Sequence, residues 1–256
     1  MTKKRSTATR RAESQAAAVR AAAIRAEQEK KERRRRTLVV SGVVVAVLAI
    51  VLVIGYIVQS GRDTSGVTGA APAGTVGGYG VPAGVASAPV KVTVYEDFMC
   101  PFCGQFEAAS RTSFQNSIDA GKLQMQYHVL NFLDRSSSTK YSTRAASALG
   151  VVLDTSGPKV AKKFHDLLFE NQPEEGSAGL SDSQLIDYAV QAGASRSAVS
   201  GPINSTHYEQ WVKNVTDNAS KAGVTGTPTV IINGKQASGS TAQLVAAVEQ
   251  AVKQAG

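Results

Sequence analysis

The chain has 256 residues, 28 basic against 20 acidic, and a formal net charge of +8. Residues 1–37 hold 13 Lys and Arg against 4 Glu, a net +9, while the remainder holds 15 against 16; the basic character belongs to an N-terminal arm, and the rest has no net positive field to hold nucleic-acid phosphates. Two cysteines exclude a disulfide-dense scaffold, and three histidines leave little for a His-rich metal site.

The arm is rich in Ala, Arg, Lys and Gln and ends in the basic run 30–36. From Ser14 onward it has helical character, with Glu27/Lys31 and Glu29/Arg33 spaced i,i+4. Residues 38–58 form an uncharged run of 21, mostly Val, Leu, Ile, Ala and Gly. As a helix this run spans about 31 Å, close to the hydrocarbon thickness of a bilayer. The arm then reads as a topogenic signal that stays in the cytoplasm, which places everything after residue 58 outside. Ala71-Pro72-Ala73 has the small residues of a signal cleavage site, but Pro72 and its distance from the run favour an uncleaved anchor. Both cysteines then lie in an oxidising compartment. Residues 59–88 are dominated by Gly, Ala, Ser, Thr and Pro and read as a flexible linker, with too little apolar surface to repay the entropy of ordering.

A folded domain is expected over 89–256. Val90, Val92 and Val94 alternate with Lys91, Thr93 and Tyr95, the period of a strand. Phe102, Phe106, Ser110, Phe114 and Ile118 then recur every four residues, with Glu107 and Arg111 as a surface i,i+4 pair and Gly121 as the helix stop. A second strand at 123–129 makes a βαβ start with a parallel pair. The middle, about 136–222, is helical, with apolar faces at Tyr141/Ala145/Ala148/Leu149/Val152, at Val160/Phe164/Leu167/Leu168 and at Tyr208/Trp211/Val212/Val215/Ala219/Ala222. Ser181 with Gln184 and Ser240 with Gln243 are capping boxes. Between the last helices the β pattern returns at Thr229-Val230-Ile231-Ile232, followed by an Asn233-Gly234 turn and a short edge strand.

The chemistry is concentrated at Cys100-Pro101-Phe102-Cys103, where a strand gives way to a helix. Pro101 suits the first helical turn, where its missing N–H costs nothing. Cys100 falls in the N-cap region, where unsatisfied N–H groups and the helix dipole favour a thiolate. Cys103, one turn on, is placed to close a disulfide with it, and a low-pKa thiolate is a good leaving group in exchange. The loop such a disulfide closes is too small for a merely structural bridge to stabilise much. The two sulfurs also suit a soft metal such as Cu(I), although no Met or His accompanies them in a ligand pattern.

This motif, with Gly226-Thr227-Pro228-Thr229 before a strand, Asn233-Gly234-Lys235 after it, and the phrase from Phe164 to Phe169 followed by Asn171-Gln172-Pro173, resembles the DsbA-like thiol-disulfide oxidoreductases, in particular the membrane-anchored members of Gram-positive envelopes. The resemblance covers about 88–256. It implies an α/β thioredoxin fold with an inserted helical subdomain, here preceded by a single transmembrane helix. It implies a cis Pro228 beside the cysteines, with Thr227 offering its backbone to a substrate strand. It further implies Cys100, Cys103, Thr227 and Pro228 as catalytic residues; Pro101, Phe102, Glu96 and Asp97 are the supporting residues beside them, and no cofactor or metal is expected. The partners it implies are reduced secreted proteins and a membrane protein that restores the disulfide. Oxidase, reductase and isomerase share these motifs, and a Cu(I)-carrying protein is the alternative of a different class.

Two positions depart from the family. The buried acid often found six residues before the first Cys is Val94 here, and Glu96 and Asp97 are the nearby candidates for its role. Phe102 stands where a His could stabilise the thiolate, so a weaker oxidant than a His-containing relative is expected.

Overall fold

The computed structural model describes residues 69–255; the basic arm and the apolar run at 38–58 lie outside the described residues. Among the described residues no helix is long and apolar enough to cross a membrane.

Five strands form one sheet: β1 (Val81–Ala83), β2 (Val90–Glu96), β3 (Leu123–Val129), β4 (Thr229–Ile232) and β5 (Lys235–Gln236). The spatial order is β1-β3-β2-β4-β5, with β2 and β3 parallel and every other pair antiparallel. The parallel pair follows from the crossover helix α1 (Pro101–Asp119), as expected of a βαβ unit. β2 is central, and Val90, Val92 and Val94 are wholly buried on one of its faces. Five helices stand between β3 and β4: α2 (Tyr141–Ser156), α3 (Pro158–Glu170), α4 (Asp182–Ala192), α5 (Arg196–Asn204) and α6 (Glu209–Lys221), and α7 (Thr241–Gln254) closes the chain. This is a thioredoxin fold with a helical insertion. Both capping boxes are formed: Ser181 and Ser240 each accept the backbone N–H of the Gln three residues on, and each Gln answers at the Ser backbone. The Asn233-Gly234 turn has positive φ at both residues, which matches the twist of the β4–β5 hairpin.

The expected linker over 59–88 needs correction. From residue 69 the chain is part of the fold. β1 pairs antiparallel with β3, and Val81, Ala83 and Ala88 are buried. The Trp211 indole N–H donates to Gly78 O at 2.8 Å, and Ala73 N–H donates to Asp154 Oδ1 at 2.9 Å. The small residues that suggested a tether are what lets this segment lie against the domain. At Gly84, where φ is +92°, a Cβ would stand 2.4 Å from Leu123 O.

Three other readings change in three dimensions. Helix α5 was not anticipated, because its Ser, Gly and Pro202 mask the Val199/Ile203 pair that it buries. The buried face of α1 runs through Cys103, Phe106, Glu107, Ser110 and Phe114, while Phe102 is 61% exposed. Glu107 is therefore core rather than surface, and Arg111 pairs with Glu170 of α3 at 2.6 Å instead.

Candidate active site

β2 ends at Glu96, and the backbone turns into α1 at Cys100, the N-cap residue, with Pro101 in the first turn. Cys100 N–H donates to Asp97 O, and Cys100 O accepts from Cys103 N–H at 3.0 Å and Gly104 N–H at 3.1 Å. The cysteines are both reduced, Cys100 nearly buried and Cys103 fully so. Thr227–Pro228, a cis bond, immediately precedes β4, the strand paired with β2, and Cys100 Sγ lies 3.4 Å from Thr227 O. The two short motifs, over a hundred residues apart in sequence, therefore meet at the sulfur.

The two thiols differ in acidity. Cys100 is lowered to about 6. The largest cause is a hydrogen bond from the Cys103 thiol, which outweighs the cost of burial; Thr227 and the backbone N–H groups of Cys103 and Phe102 add to it. Cys103 is pushed well above the ordinary thiol value by burial first, then by the neighbouring Cys100 and by the charge of Glu96. At neutral pH Cys100 is a thiolate and Cys103 a thiol. The depression of Cys100 arises without a His at position 102, whose Phe ring projects to solvent and contributes a backbone N–H.

The acidic pair beside the motif divides. Asp97 accepts Met99 N–H and Leu133 N–H, both at 2.9 Å, and the Ser142 hydroxyl at 2.6 Å. It ties the loop before α1 to α2 and to the segment after β3. Burial lifts its pKa to about 6 against these three donors. Glu96 Oε1 meets His165 Nε2 of α3 at 2.6 Å. Glu107, His165 and Glu96 bring polar atoms within 4.8 Å of one another in the core. The i,i+4 spacing of Glu107 from Cys103 was legible in sequence, but not which face of α1 it occupied.

Gln172, just past the end of α3, is a positioning residue quoted above only as part of a family phrase. Its side-chain N–H₂ donates to Phe98 O at 3.1 Å and to Cys100 O at 2.9 Å, clamping the loop that presents Cys100. Gly104 leaves room for it: a Cβ there would stand 2.1 Å from Gln172 Oε1. Gln172→Ala strips a carbonyl partner and should cost about 1–3 kcal/mol of stability in denaturant titration. Gly104→Ala should reproduce that loss by displacing the same side chain. Unchanged stability in both variants would refute the clamp.

A Cys-x-x-Cys pair at the start of α1 and a Thr-Pro loop against its first sulfur define a thioredoxin-fold dithiol-disulfide exchange protein. The family profile described as thioredoxin matches residues 78–253. Two solved structures from Mycobacterium tuberculosis are similar over most of their length. The reduced disulfide bond oxidoreductase DsbG is 31% identical, with 69% of this chain and 91% of DsbG covered at a TM-score of 0.59. Oxidised DsbA is 32% identical, with 68% and 92% covered at a TM-score of 0.58. The chain belongs to the thioredoxin family, and within it to the DsbA-like thiol-disulfide oxidoreductases. A curated relative, the serine/threonine-protein kinase PknE of the same species, is 34% identical over 125 residues, 47% of this chain. This chain spans only 22% of that kinase's length.

Proposed function

We propose that this chain is an extracytoplasmic protein-disulfide oxidase that acts through Cys100-Pro101-Phe102-Cys103. The observation that carries the reading is the opposed acidity of the two sulfurs. A stabilised Cys100 thiolate favours the reduced form, so the disulfide is readily given away. A substrate thiolate attacks Cys100 in the disulfide, and Cys103 leaves. A second substrate thiol then attacks the mixed disulfide and releases Cys100 as a thiolate. Two electrons pass from substrate to enzyme, and a membrane partner restores the disulfide. Thr227, ahead of Pro228 and against the sulfur, offers its backbone to an extended substrate segment, and Pro228 presents no N–H there. Reduced secreted proteins are the substrate class.

The apolar run at 38–58 anchors the chain and the basic arm keeps its N-terminus in the cytoplasm. A reductase or isomerase of the same fold would differ in potential, not in motif. The test is oxidation of a reduced two-cysteine peptide by the oxidised full chain without added metal, together with its equilibrium potential against glutathione. Turnover with a potential above the glutathione pool is the expected result. A strongly reducing potential, or a domain that resists protease added outside intact cells, would overturn the reading.

A further inference from the structure

Exchange leaves a proton to be placed. Cys103 is a buried thiol when reduced and must appear as a thiolate each time it attacks or leaves. The family's acid is absent: Val94 is wholly buried between Tyr127 of β3 and Val230 of β4. Asp97 has its oxygens engaged by three donors.

The buried face of α1 that carries Cys103 also faces an unusual group. Glu96, Glu107 and His165 are buried, on β2, α1 and α3. His165 joins two carboxylates, Nε2 to Glu96 Oε1 at 2.6 Å and Nδ1 to Asp166 Oδ1 at 3.3 Å, and Asp166 is paired with Lys162 at 2.5 Å. Burial opposes charge on the imidazole, but the Glu96 carboxylate and the hydrogen bonds outweigh it and raise its pKa. Glu96 is thus paired with His165, and Asp166 with Lys162. Tyr127 of β3 faces the same acids and is held neutral by burial. That leaves Glu107 as a second buried carboxyl with no cation of its own. Its Oε1 and the Oε2 of Glu96 have no partner. Burial, with the neighbouring Glu96 carboxyl, favours a proton on Glu107. Burial lifts Glu107 to about 7, where that proton moves at physiological pH.

We propose that Glu107, one helical turn beyond Cys103 and backed by the Glu96–His165 pair, is the proton acceptor and donor for Cys103. When Cys103 leaves as substrate attacks Cys100, the Glu107 carboxyl gives it a proton and becomes a carboxylate. When Cys103 attacks a mixed disulfide, its thiol proton passes to Glu107, a sulfur–sulfur bond forms to Cys100, and the substrate thiolate departs. His165 is a positioning residue: its ring holds Glu96 on one side, and its link to the partly exposed Asp166 on the other gives the proton a route outward.

The proposal rests on the exchange chemistry above, so one arm of its test needs no turnover. Infrared spectroscopy of the full reduced chain, with ¹³C-labelled glutamate, should show a buried protonated-carboxyl band that titrates near neutrality and is lost in Glu107→Gln. In the kinetic arm, a glutathione mixed disulfide at Cys100 should resolve more slowly, by about 10²-fold or more, in Glu107→Gln at pH 7, the low end of the 10²–10⁴-fold scale of a lost general base. Its rate should no longer rise between about pH 6 and 8. Cys100 alkylation reports an intact site. No titrating glutamate band in the parent, or a resolution profile in Glu107→Gln that matches the parent, would overturn the proposal. So would a stoichiometric divalent cation bound at the cluster in the purified protein.

Discussion

Cys100→Ser removes disulfide exchange, by about 10³-fold or more on the scale seen when a reacting nucleophile is lost. Cys103→Ser stops turnover as completely, but it accumulates Cys100-linked mixed disulfides with substrate. The difference follows from position and acidity. Cys100 sits at the helix start with its thiolate stabilised to about 6. Cys103 is wholly buried behind it and held protonated. With Ser at 103 no group remains to release the captured substrate. With Ser at 100 the remaining sulfur is out of reach and is a thiol, which is a poor nucleophile. Non-reducing electrophoresis of cells expressing each variant reads the result. Equal trapping by both would refute the division of roles, and trapping by Cys100→Ser alone would reverse it.

The second large effect is on stability. Cys100 has a depressed pKa in the folded reduced protein, so its contribution is present above the unfolded pKa and is lost as pH falls through about 6. From a shift of 9.0 to about 6, the reduced form gains at most about 1.4 kcal/mol at pH 7, and about 4 kcal/mol near pH 9. Below pH 6 the gain vanishes. Above pH 9 the buried Cys103, whose pKa is raised, offsets it, because the unfolded chain ionises there and the folded one does not. The oxidised protein has neither thiol. Its stability in denaturant should therefore change less over pH 6–9, and the reduced-minus-oxidised difference isolates the cysteines from Asp97 and Glu107, which titrate in both forms. A flat difference across that window would show that the Cys100 thiolate is not stabilised by the fold. A rising difference also supports the oxidase direction, since whatever stabilises the reduced form makes the disulfide more oxidising.

Local rules in the sequence were enough for most elements. The valine alternation of β2, both capping boxes, the Asn233-Gly234 hairpin and the strand-to-helix placement of Cys100 all depend on neighbours within a turn or two, and they appear where expected. The segment from residue 69 to 88 was misread because composition reports how much apolar surface a stretch brings, not how closely glycine lets it approach a sheet. Its ordering comes from distant partners: β3, Trp211 and Asp154.

The site shows the same division. The two sulfurs and the Thr227-Pro228 loop could be named from short motifs, because exchange chemistry needs those residues at fixed local spacing. The groups around them could not. Glu107 and Arg111 have the spacing of a surface pair, and only the packing of α1 on the sheet and on α3 turns Glu107 inward and hands Arg111 to Glu170. His165 and Gln172 lie on and just beyond an inserted helix far along the chain, and their partners Glu96 and Cys100 are chosen by how that insertion docks. Sequence alone named the candidate reacting atoms. Tertiary structure decided their proton affinities, because burial and the approach of charges from separate elements set a pKa, and neither is encoded within a local window.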